Sequence, residues 1–216
     1  MKIPLTHWYL LVVFVFTLIN QLRNKHSNFW KLFFIAISFE TVTEFFSNTY
    51  NNLTHKNTTW IYNIVIPIQI LLFSVPFVKS FKLTKYFWYI FIVYFLFAYS
   101  KFLFSDDLEK FNSINYQVGS FLVEIVILSY LYKLFINDNI QNFWVEPAFW
   151  IAIGLFIFYI GSFIFFGFLN YLLVKNPPLA NSLYHVFKNL FYVLCTFFIV
   201  ANFLEWKQQK LHTPFT

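Results

Sequence analysis

The segment Pro147–Tyr171, PAFWIAIGLFIFYIGSFIFFGFLNY, runs for 25 residues without a charged side chain. An α-helix needs roughly 20 mostly apolar residues, within a range of about 17–25, to cross the hydrocarbon core of a bilayer. Six further apolar runs fall within that range: 5–22, 29–49, 60–78, 85–104, 116–136 and 180–204. The sequence therefore predicts an all-α, polytopic membrane protein, with seven transmembrane helices forming one bundle and a single domain over residues 1–216.

The composition excludes an ordinary soluble fold. Hydrophobic residues make up 59% of the chain, aromatic residues 25% and charged residues only 11%, whereas soluble domains carry about 25% charged residues. The net charge of +6 is spread over short loops and forms no basic arm, so nucleic acid is not expected as a partner. The single cysteine, Cys195, allows no internal disulfide.

The distribution of Lys and Arg between alternate loops predicts the orientation, because cytoplasmic loops are richer in these residues. One side collects nine of them: Arg23, Lys25, Lys31, Lys79, Lys82, Lys85, Lys133, Lys207 and Lys210. The other side collects five: Lys2, Lys56, Lys101, Lys110 and Lys175. We therefore expect the N-terminus outside, the C-terminus in the cytoplasm, and the acidic loop 106–109 outside.

Several predicted helices carry polar residues, which are costly inside a bilayer and usually face a bundle interior or a cavity. Glu40 and Glu44 are four residues apart and share one face of the second helix. The remaining polar residues of this set come from four other helices: Asn63, Glu124, Tyr159, His185 and Lys188. With the predicted orientation, the charged members and Asn63 fall in or near the outer half of the membrane.

This common depth predicts an outward-facing polar pocket lined by the seven residues just named. The alternative is that they are structural, since polar side chains also hold membrane helices together. We expect His185 alone among the histidines to lie inside the membrane. Because catalytic zinc normally takes three protein ligands, no metal site is predicted, and no cofactor motif is present.

Three classes of function are compatible with such a pocket. A receptor or sensor would bind a ligand outside and signal through a separate protein, because the chain contains no output domain. An intramembrane enzyme acting on lipid could use Glu40 and Glu44 as a general acid/base pair. A proton-coupled carrier of small solutes would also need membrane carboxylates. The absence of a catalytic motif and of an internal repeat favours the receptor.

Short segments throughout the chain resemble a loose group of small, uncharacterised seven-helix bacterial membrane proteins. They are Ser38–Glu44, Trp60–Asn63 with Pro67–Gln69, Phe111–Tyr116 with Glu124, Pro147–Trp150 with Gly154 and Tyr159–Gly161, and Tyr184–His185. Members are often encoded near sensor kinases, so the resemblance implies a receptor in the bacterial cytoplasmic membrane with a membrane or cytoplasmic partner such as a histidine kinase. Gln69 departs from the group at a position where a carboxylate is expected.

Overall fold

A computed structural model describes residues 4–23, 27–80, 84–103, 110–136 and 143–212. Within these residues it contains seven α-helices, no strand, and 94% helix. The helices are α1 (Leu5–Arg23), α2 (Asn28–Thr54), α3 (Thr59–Ser80), α4 (Thr84–Leu103), α5 (Ser113–Ile136), α6 (Pro147–Lys175) and α7 (Pro177–His212). The prediction of an all-α chain is confirmed, whereas the loop 106–109 lies outside the described residues.

Five of these helices, α1, α3, α5, α6 and α7, are long and apolar enough to cross a membrane. Helix α4 contains a shorter apolar segment, Tyr86–Ser100. Large apolar side chains on the outside of the bundle, such as Val93 and Leu96 of α4, are more than half exposed. Lipid solvates such a surface, whereas a soluble protein rarely exposes apolar patches of this extent. The fold is therefore that expected of a membrane protein.

Local sequence signals explain where several helices begin and end. Pro147 and Pro177 stand at the first positions of α6 and α7, where the missing N–H of proline costs no helical hydrogen bond. A single residue, Asn176, separates these two helices. Its N–H donates to the carbonyl of Leu172 at 2.8 Å, and its Oδ1 accepts from the N–H of Leu179 at 3.2 Å. One asparagine thus caps both helices and holds α6 and α7 as a tight pair.

Six helices form a closed ring in the order α1, α2, α3, α5, α6 and α7, with α7 packing back on α1. Helix α4 lies outside this ring against α3 and α5. At one end, where α1 ends and α2 begins, aromatic side chains fill the interior, including the buried Trp30, Phe33, Phe77 and Phe198. The Phe33 and Phe198 rings meet edge to face with centroids 5.1 Å apart. This end of the bundle is solidly packed.

A polar network closes the same end. Thr17, Asn20 and Asn202 are each at most 2% exposed. Asn20 Nδ2 donates to both the carbonyl and Oδ1 of Asn202, each at 2.8 Å. Asn202 Nδ2 in turn donates to Thr17 Oγ1 at 3.1 Å. Because these buried groups find partners within the protein, the network joins α1 to α7.

Candidate functional site

A cavity of about 300 Å³ occupies the opposite end of the ring, where α1 begins and α2 ends. All six ring helices line it, and Phe111, just before α5, contributes as well. Its floor is apolar, with Ile37, Phe73, Leu155 and Phe198 among the lining residues. Because the packed core lies directly below this floor, the cavity ends blind within the bundle.

Two carboxyl groups of α2 enter the cavity from adjacent turns of the helix. The amide Nε2 of Gln69 donates a short hydrogen bond to Glu40 Oε2. The hydroxyl of Tyr62 donates to Glu44 Oε1 at 3.1 Å. Both donors come from α3, so the side chains of one helix orient the carboxyl groups of its neighbour. Glu44 lies one turn nearer the carboxyl end of α2 and therefore nearer the mouth.

His7 of α1 supports Glu44 from the other side. Its Nε2 lies 3.2 Å from the Glu44 carbonyl oxygen and 4.0 Å from Oε2 of the same residue. The Thr6 hydroxyl lies 3.3 Å from its Nδ1, and the ring packs edge to face on Phe45. With two nitrogens engaged and only 6% of the residue exposed, His7 is held in one orientation at the cavity wall.

A cation stands on the α7 wall of the cavity. The Lys188 ammonium lies 5.0 Å from the centroid of the Tyr184 ring, one turn away on the same helix. Such a cation–π contact replaces part of the lost hydration of the ammonium. The described part of the chain places no carboxylate within ion-pair distance of Lys188.

The remaining wall is built from the aromatic side chains of α5 and α6. Tyr159 lines the cavity and is 5% exposed, with its ring 6.5 Å from that of Tyr116. The Tyr116 hydroxyl donates to Ser162 Oγ at 2.6 Å. Phe158 and Phe166 complete this face. The cavity thus combines a mainly apolar lining with a few placed polar groups, which is the usual composition of a small-molecule site.

The structure brings four of the seven predicted pocket residues to this cavity: Glu40, Glu44, Tyr159 and Lys188. His185 points to the outside of α7 and is exposed. Glu124 does not line the cavity, and its side chain is half-buried on α5 with Oε1 enclosed. Successive residues of a helix differ by about 100° in direction, so adjacent positions face different surroundings.

Asn63, the seventh predicted residue, acts on the cavity indirectly. Its Nδ2 donates to the Lys110 carbonyl and its Oδ1 accepts from the Asn112 N–H, both at 2.9 Å. Asn170 of α6 donates to the carbonyl of Phe111 at 2.8 Å. The Phe111 ring stacks on Phe166 with centroids 4.7 Å apart. Two asparagines therefore fix the short segment that holds Phe111 over the cavity.

The sequence did not point to four residues that shape the site: His7, Tyr62, Phe111 and Tyr116. His7 lies inside the predicted span 5–22, so the expectation that His185 is the only histidine within a span was wrong. The described residues contain no group of three His, Cys, Asp or Glu side chains that could hold a metal ion. No protein-family model, curated protein or solved structure matches the chain.

Proposed function

We propose that this chain is a receptor-like integral membrane protein that binds a small molecule in the cavity and passes the binding event to a separate partner. The observation that carries the proposal is the blind cavity: six helices enclose it at one end, and packed aromatic side chains fill the other end. A ligand that binds there contacts several helices at once. It can therefore change their packing without crossing the bundle.

The proposed topology has seven membrane spans, with the N-terminus outside and the C-terminus in the cytoplasm. Five helices have the length and apolar character of membrane spans, and α4 carries a shorter apolar segment. The excess of Lys and Arg in alternate loops supports this orientation. The cavity opens beside the start of α1, so in this topology it faces the outside.

The packing below the cavity favours a receptor over a carrier. A carrier needs a path that can open to both sides in turn around a central site. Here Phe33, Phe77 and Phe198 are each at most 2% exposed, and the Thr17, Asn20 and Asn202 network closes the region beneath them. Opening this end would break an interlocked core.

The proposed partner is a membrane or cytoplasmic signalling protein such as a histidine kinase, and the proposed location is the bacterial cytoplasmic membrane. Both follow from the resemblance to small seven-helix bacterial membrane proteins. The proposed receptor couples to its partner through the helical bundle that the structure describes. A receptor of this kind must therefore transmit its signal through contacts between helices.

An intramembrane enzyme is the second candidate, because Glu40 and Glu44 open into the same cavity and could move a proton as a pair. Against it, α1 and α3 pack on either side of α2. A lipid approaching from the bilayer would have to part these helices to reach the carboxyl groups. A small molecule entering from the mouth of the cavity would not.

Purification in lipid nanodiscs followed by native mass spectrometry tests the proposal. A pair of matched variants separates the cavity from the lipid surface: Ile66→Trp places an indole in the cavity wall, and Ile125→Trp places one on the 46% exposed outer face of α5. We expect a co-purified small molecule with the unmodified protein and Ile125→Trp, and its loss from Ile66→Trp. Equal recovery from all three forms, or a lipid converted to product, would contradict the proposal.

A further inference from the structure

The ionisable side chains of the cavity wall differ in whether they have a neighbour of opposite charge. Glu44 has two polar neighbours, because His7 Nε2 lies 4.0 Å from its Oε2 and the Tyr62 hydroxyl donates to its Oε1. Glu40 accepts a hydrogen bond from Gln69, which is an uncharged donor. Lys188 rests on an aromatic ring. In the part of the chain that the structure describes, one carboxyl group and one amine thus face the cavity without a partner of opposite charge.

These two groups lie on different helices and at different depths. Glu40 is one turn deeper in α2 than Glu44, whereas Lys188 lies near the amino end of α7, on the mouth side of Phe191 and Cys195. Aromatic side chains, including Phe158 and Phe187, line the same cavity. Two helices that both pack on α1 therefore present opposite charges to one mainly apolar cavity.

From this arrangement we infer that the cavity binds a small zwitterion with an apolar body, such as an apolar amino acid or dipeptide. The ligand's ammonium group faces Glu40, its acidic group faces Lys188, and its apolar part lies along the aromatic wall. This inference rests on the proposed function and names the ligand class for the same cavity. It follows from the cost of leaving charges in an apolar site without counter-charges, a cost that this ligand removes.

The volume agrees with a ligand of this size. Small-molecule sites commonly measure about 300–1,000 Å³, and this cavity, at about 300 Å³, lies at the lower limit. A fatty acid would match Lys188 but would leave Glu40 without a counter-charge. A simple amine would match Glu40 but would leave Lys188 unmatched. Only a ligand with both charges satisfies both groups.

The test compares L-phenylalanyl-L-phenylalanine with its N-acetyl and C-terminal amide forms, using calorimetry on the full chain in lipid nanodiscs. Each blocked form loses one charge and keeps both rings. Because a hydrogen bond to a charged group contributes about 1.5–3 kcal/mol, we expect each blocked form to bind about tenfold more weakly, or worse, than the zwitterion. Equal binding of all three peptides would overturn the inference.

Substitutions test which residue recognises each charged group of the ligand. Glu40→Gln should abolish the preference for a free amino group and preserve the preference for a free carboxylate. Lys188→Met should abolish the preference for a free carboxylate and preserve the preference for a free amino group. Glu124→Gln, which changes a carboxyl group outside the cavity, should preserve both preferences. Preferences that persist in Glu40→Gln and Lys188→Met would overturn the assignment.

The inference and the proposed function fail in different ways. In one outcome, none of the peptides binds, but a molecule still co-purifies with Ile125→Trp and is lost from Ile66→Trp. The cavity is then a binding site, and the zwitterion inference is wrong. If no molecule depends on the cavity in either experiment, the proposed function is wrong as well.

Discussion

Asn20 and Asn202, which are 182 positions apart in the chain, meet side chain to side chain with Nδ2 of the former 2.8 Å from Oδ1 of the latter. Both are buried, and both belong to the end of the bundle away from the cavity. Their contact ties the first helix of the ring to the last. In the proposed receptor, that end is the fixed base against which ligand binding at the other end acts.

Replacing Asn202 with Ala should lower the free energy of unfolding by about 1–2 kcal/mol, because Asn20 then loses its buried partner. Replacing both Asn20 and Asn202 with Leu should lower the free energy of unfolding by less than the sum of the two single Leu substitutions. Unfolding in detergent measures these differences. Strictly additive effects, or no effect of Asn202→Ala, would show that the network does not hold this end together.

Asn63→Ala should loosen the segment that holds Phe111 over the cavity, because two 2.9 Å hydrogen bonds to that segment are lost. Cys195 lines the cavity, is the only cysteine of the chain and is 1% exposed, so a reagent that modifies it must first enter the cavity. We expect a small thiol reagent to modify Cys195 several-fold faster in Asn63→Ala. Asn48→Ala, on α2 and outside the cavity lining, serves as the control and should leave the rate unchanged. A similar rate in both variants would mean that Phe111 does not limit entry.

Glu124→Leu should stabilise the protein without weakening ligand binding. The carboxyl group is half-buried on α5, and its Oε1 is enclosed without a hydrogen-bond partner among the described residues. Removing such a group avoids a desolvation cost on the order of 1 kcal/mol. A higher melting temperature with unchanged affinity is the expected result. Loss of binding would place Glu124 in the functional site.

Glu146, just before α6, should make the stability of the protein depend on pH. Burial raises the pKa of Glu146, and the nearby Glu205 raises it further. A carboxyl group with a raised pKa in the folded state destabilises the protein above that pKa, and the penalty disappears as the pH falls and the group binds a proton. Glu146→Gln should therefore raise the melting temperature at pH 7 and have little effect at pH 4. An equal effect at both values would contradict this.

The sequence predicted the helical fold well because the length and apolar character of a membrane span are local properties. Periodicity also placed Glu40 and Glu44 correctly on one face of α2. It could not place Glu124 or His185, because the direction in which a helix face points depends on its neighbours. Because lipid is as apolar as a leucine side chain, the pattern of apolar residues does not show which face of a membrane helix is buried in the protein.

The order of the helices in the ring also could not be predicted from the sequence. The sequence predicts both α4 and α5 as membrane spans and does not show that α4 lies outside the ring while α5 lines the cavity. Asn63 shows a related limit. A polar residue inside an apolar run is noticeable, but its hydrogen bonds to Lys110 and Asn112 join residues that are 47 and 49 positions away.

The sidedness of Cys195 modification tests the central claim, an outward-facing blind cavity, most directly. In sealed vesicles of known orientation, a small membrane-impermeant thiol reagent is added to one side at a time, and Ile66→Trp serves as the blocked control. We predict modification of Cys195 only from the outer side, slowed by Ile66→Trp and preserved in Ile125→Trp. Modification from the cytoplasmic side, or from both sides equally, would contradict the account.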